Sequence, residues 1–225
     1  MTEHSNDNPN TGTDTDPLVL IVEDEPDVAT SYELWLRDAY GICRAETGEE
    51  ALEILDNRDV DVVLLDRMLP GISGDEVLAA IRDRGLDCRV AMVSAVSPGI
   101  EVAEMGFDGY VTKPPGPDEL RNTVERLVDR GTLDDDLQEY YSLVARRSAL
   151  ETEFGHAELV HHEQYRALVD RIERQRASVD ASMDDLDDAA GFVGAVRAID
   201  PTDGELPNDG TDGGTDDGTN DRRFE

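Results

Sequence analysis

The sequence predicts an α/β fold, a parallel sheet with helices on both faces, followed by a purely helical segment. Three observations predict it. Residues 18–130 alternate apolar runs with amphipathic stretches five times, and a βαβαβαβαβα order requires a parallel sheet with right-handed crossovers. Runs such as Leu18-Val19-Leu20-Ile21-Val22 and Val62-Val63-Leu64-Leu65 are wholly apolar, which marks strands covered on both sides. Beyond residue 133 the strand signal stops, and apolar residues recur at spacings of three and four, the period of a helical seam.

The first strand is residues 18–22, and Pro26 suits the first turn of the helix that follows. Leu34, Trp35 and Ala39 give that helix its apolar side. Residues 41–45 are a short second strand. Thr47 with Glu50 forms a capping-box pattern ahead of Ala51, Leu52, Ile54 and Leu55. Residues 60–65 are the third strand, and Ser73 with Glu76 opens a helix through Ile81. Residues 90–93 are the fourth strand, with a weaker helix after Pro98. Residues 110–112 are the fifth strand, and Pro117-Asp118 starts a helix carrying Leu120, Val124, Leu127 and Val128.

The 225 residues carry a net charge of −33, and Lys113 is the sole lysine. High net charge maintains solubility at the cost of self-repulsion. An acid-rich, lysine-poor surface is the composition of proteins from halophilic archaea, and at molar salt such charge says little about partners, because the Debye length falls to about 3 Å. Cys43 and Cys88 lack CxxC spacing, sit in apolar stretches and read as buried, reduced thiols. No apolar run is long enough to span a membrane, and the polar first residues hold no signal peptide, so a cytoplasmic protein is expected. Residues 1–16 and the Asp/Gly/Thr repeats of 201–225 read as a disordered arm and a disordered acidic tail. Between them lie a sheet domain over 17–131 and a helical domain over 132–200.

In parallel sheets ligands bind beyond the carboxyl ends of the strands. The first strand runs into Glu23-Asp24-Glu25, the third into Asp66, the fourth into Ser94, and the fifth leads to Lys113-Pro114. Three acids (Glu23, Asp24 and Asp66), a hydroxyl and an amine therefore converge on one rim. Glu23 and Asp24 alone would read as helix N-terminal acids stabilised by the dipole. A stray surface lysine is disfavoured for Lys113, since the chain otherwise uses only arginine and the two cations are not interchangeable.

The segments VLIVEDEPDV, VVLLDRMLPGISG, VAMVSAVS and GYVTKPP together resemble the receiver domain of two-component response regulators. The resemblance implies a (βα)5 flavodoxin-like fold with a five-stranded parallel sheet of order 2-1-3-4-5. It also implies that Asp66 is the phosphoacceptor, served by a sensor histidine kinase, and that Mg2+ is the cofactor. Asp24 and Asp66 would bind the metal directly, Met68 through its backbone carbonyl, and Glu23 through water. Several negative charges meet in such a transfer, and a divalent cation offsets them. Lys113 would hold Asp66 and then a phosphoryl oxygen, and Ser94 would bond another. Ser94 and Tyr110 would form the switch pair, although Tyr110 alone reads as a half-buried strand aromatic. Two departures keep the functional group: Glu23 stands where Asp is commoner and Ser94 where Thr is commoner. Lys113-Pro114 resembles the family's cis peptide. Met68 and Val96 lie two residues past Asp66 and Ser94. Neither side chain can orient water, so slow self-dephosphorylation is expected. The receiver would catalyse only its own phosphorylation and dephosphorylation, so it is not an enzyme in the ordinary sense.

In the helical half, Tyr165, Val169, Ile172, Arg176, Val179, Met183 and Leu186 form a heptad seam, with Leu133, Leu137, Tyr140 and Val144 repeating the spacing upstream. Gly155-His156 marks a break, giving a helical hairpin or a coiled-coil dimer, and the last helix ends near Asp200-Pro201. LQEYYSLVARRSALE and the FVGAVRAID ending resemble the HalX-type domain that follows receivers in halophilic archaea. Three outputs compete. DNA binding could use Arg146, Arg147, Arg171, Arg174 and Arg176, but sixteen acids face seven arginines over 133–200, and no DNA-binding signature is present. A phosphorylation-controlled homodimer or docking adaptor draws on the heptads. An enzymatic output lacks any motif, and His156, His161 and His162 have no ligand spacing.

Overall fold

The computed structural model describes residues 16–131, 133 and 135–183. Five parallel strands lie in the order β2-β1-β3-β4-β5: β1 Leu18–Val22, β2 Gly41–Ala45, β3 Val62–Asp66, β4 Arg89–Ser94 and β5 Gly109–Thr112. The helices between and after them are α1 Pro26–Leu36, α2 Gly48–Asn57, α3 Gly74–Asp83 and α4 Pro117–Arg130. The expected order 2-1-3-4-5 is the observed one.

The wholly apolar runs are explained by coverage on both sides. Val19, Ile21, Val62, Leu64, Ala91 and Val93 share a core with Ala29, Tyr32 and Leu36 of α1 and Leu120, Val124 and Leu127 of α4. Alternate strand residues, Leu20, Val63, Leu65 and Met92, are equally buried toward the side of α2 and α3. Each fully buried side chain of this kind contributes roughly 1.5–3 kcal/mol, so one sheet between two helical layers supplies most of the core.

Local chemistry places the helix starts. The Thr47 hydroxyl accepts the Glu50 N–H at 3.2 Å, whereas the Glu50 carboxylate takes the Glu46 N–H at 2.9 Å, so the first box closes one residue early. At α3 the box is reciprocal: the Ser73 hydroxyl accepts the Glu76 N–H at 3.3 Å, and Glu76 accepts the Ser73 N–H at 2.9 Å.

The structure corrects four expectations. The buried side of α1 is Ala29, Tyr32 and Leu36. Of the expected side, Trp35 packs against the core, but Leu34 is 49% exposed and Ala39, past the helix end, is exposed, because the three-and-four spacing runs through the smaller and aromatic residues. Val60 is buried but precedes β3, which begins at Val62. The helix expected after Pro98 is a 3-10 segment, Ile100–Glu104. Cys88 is buried as expected, but Cys43 is only half-buried. Burial raises both thiol pKa values, that of Cys88 to about 11.

The helical half contains α5 Asp135–Glu153, the short α6 His156–Leu159 and α7 Glu163–Met183, so the break falls at Gly155. Tyr165 donates to Glu151, Arg171 to Glu139 and Gln175 to Asp136; partners descend α5 as α7 ascends, which makes an antiparallel hairpin. The buried stripe of α7 is Tyr165, Leu168, Ile172 and Val179. The expected seam is one position off at two places: Val169 is half-buried and Arg176 exposed. The Met183 side chain, Leu186, the helix end near Asp200, the arm (residues 1–15) and the acidic tail lie outside the described residues.

Helix α5 is buried on several sides, through Leu137, Tyr140, Tyr141, Leu143, Val144 and Leu150. It packs on the 3-10 segment and β5 as well as against α7, and an element buried all round needs an apolar surface all round. The Ser142 hydroxyl donates to the Phe107 carbonyl at 2.8 Å, and the Arg130 guanidinium lies 4.6 Å over the Tyr141 ring.

Candidate functional site

The carboxyl ends of β1, β3 and β4 and the residue after β5 bring the chemistry together. Glu23 follows β1 and is 2% exposed, and Asp66 ends β3 and is nearly as buried. Asp24 stands exposed beside them. Oxygens of Glu23, Asp24 and Asp66 lie within 4.8 Å of one another. Lys113 Nζ reaches between two of them, 2.6 Å from Glu23 Oε2 and 2.7 Å from Asp66 Oδ2.

The remaining oxygens are also held. Glu23 Oε1 accepts the Glu25 N–H at 3.3 Å, and Asp66 Oδ1 accepts the Met68 N–H at 3.0 Å. Burial raises the Glu23 pKa, and the Lys113 ammonium offsets part of the rise. Burial also acts to lower the Lys113 pKa, but hydrogen bonds to Asp66 and Glu23 outweigh it and the net shift is upward. Lys113 therefore stays charged between two acids.

The donor set fits a hard divalent cation. It is oxygen only and partly open through Asp24, and its three carboxylates are met by a single ammonium, which bonds two of them. Such a surplus of negative charge, presented by closely spaced oxygens, suits Mg2+ better than a softer metal.

Ser94, fully buried at the end of β4, accepts the Val96 N–H on its hydroxyl at 3.1 Å. The Tyr110 phenol donates to the Val96 carbonyl at 2.5 Å. Burial raises the phenol's pKa, and the neighbouring Ser94 hydroxyl and Arg67 guanidinium draw it part of the way back. The Tyr110 ring lies 5.7 Å from that of Phe107. The Met68 side chain is 65% exposed and Val96 is exposed as well. The Lys113-Pro114 peptide is cis, with Pro115 buried behind it.

Two contributors escaped the sequence reading. Arg67 forms a bidentate pair with Asp75 and bonds Glu101 at 3.0 Å, tying the loop after Asp66 to α3 and the 3-10 segment. Gly74 begins α3 directly on the phosphoacceptor candidate's backbone: a Cβ there would lie 2.1 Å from the Asp66 carbonyl oxygen. The signal was a glycine at the first position of a capped helix, where most residues serve better.

Residues 19–125 match the response regulator receiver domain family, and residues 129–196 match the HalX domain family. A Haloferax volcanii protein provisionally named a transcriptional regulator is 42% identical over 167 residues, covering 74% of this chain and 28% of that protein. The transcriptional regulatory protein AfsQ1 of Streptomyces coelicolor is 34% identical over 139 residues, covering 60% of this chain and 61% of that one. The chain thus spans less than two thirds of either relative. Among solved structures, the signal receiver domain of a provisionally assigned Luxo repressor protein from Vibrio parahaemolyticus superposes with a TM-score of 0.50 at 28% identity, over 54% of this chain and 96% of that one.

Proposed function

Because the chain belongs to the response regulator receiver family, with a HalX domain behind the receiver, we propose that Asp66 accepts a phosphoryl group from a sensor histidine kinase and that the helical half reads the result. The observation that carries this is the Lys113 ammonium bonded to both Asp66 and Glu23, with Asp24 at the opening. Asp66 is oriented by Lys113 and the Met68 N–H, as Glu23 is by Lys113 and the Glu25 N–H, and Asp66 is the less buried of the two.

Asp24, Asp66 and the Met68 carbonyl would hold Mg2+, with Glu23 acting through water, and the ion would supply charge neutralisation for the incoming phosphoryl group. An Asp66 carboxylate oxygen attacks phosphorus in line. The P–O bond forms as the P–N bond to the kinase histidine breaks, leaving an acyl phosphate. Lys113 keeps one contact and turns its charge to a phosphoryl oxygen, and Ser94 supplies a hydrogen bond to another. Lys113 is pre-positioned on Asp66, so its charge needs little reorganisation at the moment of transfer.

The product carries close to two negative charges. Ser94 moving toward it would withdraw its hydroxyl from the Val96 N–H, and Val96 holds the Tyr110 phenol. Tyr110 packs on Phe107, and the Phe107 carbonyl accepts from Ser142 of α5. A continuous set of contacts therefore joins the phosphoryl site to the helical half. A two-state shift of Ser94 and Tyr110 would bias how α5 sits on the receiver.

The relatives' names point to transcription as the process served. A second reading, a docking or dimerisation adaptor without DNA contact, draws on two observations. Arg146 is buried and Arg171 is paired with Glu139, which weakens the arginine set that phosphate contacts would need. No helix among the described residues is long and apolar enough to cross a membrane.

Incubation with acetyl phosphate and Mg2+ tests the reading. The wild type should gain one phosphoryl by intact mass, and Asp66→Ala none. Gain in neither would overturn it. Light scattering with beryllofluoride separates the outputs: activated dimers support the association reading, and unchanged monomers support a docking surface for another partner.

A further inference from the structure

A groove of about 920 Å3 lies where α3 and the start of β4 face α5 and α7, away from the acidic rim. Four arginines line it, Arg82, Arg89, Arg146 and Arg171. Three have a carboxylate partner: Arg82 with Asp108 at 2.7 Å, Arg89 with Asp87 at 3.2 Å and Arg171 with Glu139 at 2.5 Å. Arg146 has none among the described residues. It is 4% exposed, its terminal nitrogen donates to the neutral Ser142 hydroxyl at 2.8 Å, and its buried Nε meets no acceptor.

The charges that act on Arg146 are Glu139 and Asp108, which favour its cation, and Arg171 and Arg82, which oppose it. Each of those acids is the partner of one of those arginines. The cluster is thus short by one negative charge, and that charge is missing at Arg146. Burial disfavours the Arg146 cation, but a guanidinium does not escape by losing its proton. A buried charge without a counter-charge is among the costliest arrangements a fold can hold. The Arg89 Nε, also buried without an acceptor, adds a second unmatched donor to the groove.

We propose that the Arg146 guanidinium binds one small monovalent anion in this groove, of the chloride class. The deficit at Arg146 is a single charge. Asp83, Glu104 and Asp135 also line the groove, and their field opposes phosphate, sulfate or a nucleotide, which bring two charges or more, more strongly than it opposes an anion of one charge. The anion would complete the acceptor set of a side chain bonded to Ser142, and Ser142 in turn bonds Phe107. Occupancy would therefore clamp α5 to the receiver. The proposal rests on no assumption about Asp66.

Thermal unfolding of the full chain at constant potassium and ionic strength tests it, with chloride, bromide, gluconate and sulfate as the anions. Binding to the folded state alone predicts a saturable rise of roughly 3–5 °C in chloride and bromide over gluconate. Arg146→Met should abolish that difference and, in gluconate, unfold at or above the wild-type temperature, because an unpaired buried charge is gone. Arg171→Gln should retain the difference. Bromide-soaked crystals should show an anomalous peak within hydrogen-bond distance of the Arg146 guanidinium, a readout that needs no variant. Equal stability in chloride and gluconate, a chloride effect that survives Arg146→Met, stronger stabilisation by sulfate, or no bromide peak at Arg146 would each overturn the proposal.

Discussion

Lys113 Nζ stands 2.7 Å from Asp66 Oδ2 and bonds Glu23 with the same ammonium. The pair sits almost out of water, so the ammonium is the counter-charge that offsets two crowded carboxylates. Lys113→Ala should cost about 2–3 kcal/mol in metal-free buffer by urea unfolding, below the ~3–5 kcal/mol of a fully buried pair because the rim opens to solvent. Phosphoryl uptake should fall at least tenfold, and Lys113→Arg should not restore it, since a planar fork does not replace a compact ammonium here. Full uptake by the arginine variant would contradict this role.

Gly74 is set by the Asp66 backbone. A Cβ at this position would stand only 2.1 Å from the Asp66 carbonyl oxygen, so Gly74→Ala forces α3 away from the end of β3. A loss of about 2–3 kcal/mol is expected from overpacking of this kind, together with slower uptake from acetyl phosphate. An unchanged urea midpoint would show that α3 moves away at no cost.

The strands were legible because a sheet covered on both sides demands uninterrupted apolar runs. Glu23, Asp24, Asp66, Ser94 and Lys113 were legible as candidates because parallel strands expose chemistry at their carboxyl ends. Gly74 and Arg67 were not: each acts through a contact created only when α3 and the 3-10 segment come together. On α1, counting large apolar residues misplaced the buried side, since Ala29 and Tyr32 occupy it while Leu34 faces outward. On α7, Leu168 and Val169 are adjacent, and spacing alone could not choose between them. Packing against α5 selects Leu168. The link from Phe107 to Ser142 joins residues 35 apart, with no local pattern to announce it.

That link carries the next prediction. Ser142→Ala removes two buried hydrogen bonds, one to the Phe107 carbonyl and one from the Arg146 guanidinium, and should cost about 2–3 kcal/mol. Phosphoryl uptake at Asp66 should be unaffected. In the wild type, beryllofluoride with Mg2+ should change hydrogen-exchange protection in α5, and the variant should show less than half of that change. An undiminished response would place the coupling elsewhere.

Met68 and Val96 present exposed apolar side chains at the rim and cannot orient water by hydrogen bonds. Met68→Asn should hydrolyse its acyl phosphate at least about threefold faster, since a positioned polar group contributes to water attack. The decay of phosphorylated protein followed by intact mass gives the rate, and an unchanged rate removes Met68 from control of the lifetime.

The cap of α3 predicts a pH dependence. Hydrogen bonds from the Ser73 backbone and hydroxyl hold the Glu76 pKa below its ordinary value of 4.5. A group whose pKa is depressed by folding stabilises fully above its unfolded value and loses that contribution as pH falls through the folded one. The stability difference between wild type and Glu76→Gln should therefore be constant from pH 8 to about 6 and shrink below about pH 4.5. A difference that persists undiminished at low pH would assign the cap to the Ser73 hydroxyl alone.

The central claim is that Asp66 carries the phosphoryl group, and reductive trapping tests it most directly. Borohydride reduces an acyl phosphate to the alcohol, so a phosphorylated aspartate becomes homoserine. Protein treated with acetyl phosphate and Mg2+, then reduced and mapped by peptide mass spectrometry, should show homoserine at position 66 and at no other acid. Trapping at Asp24, or no trapping in protein that folds normally, would contradict the account.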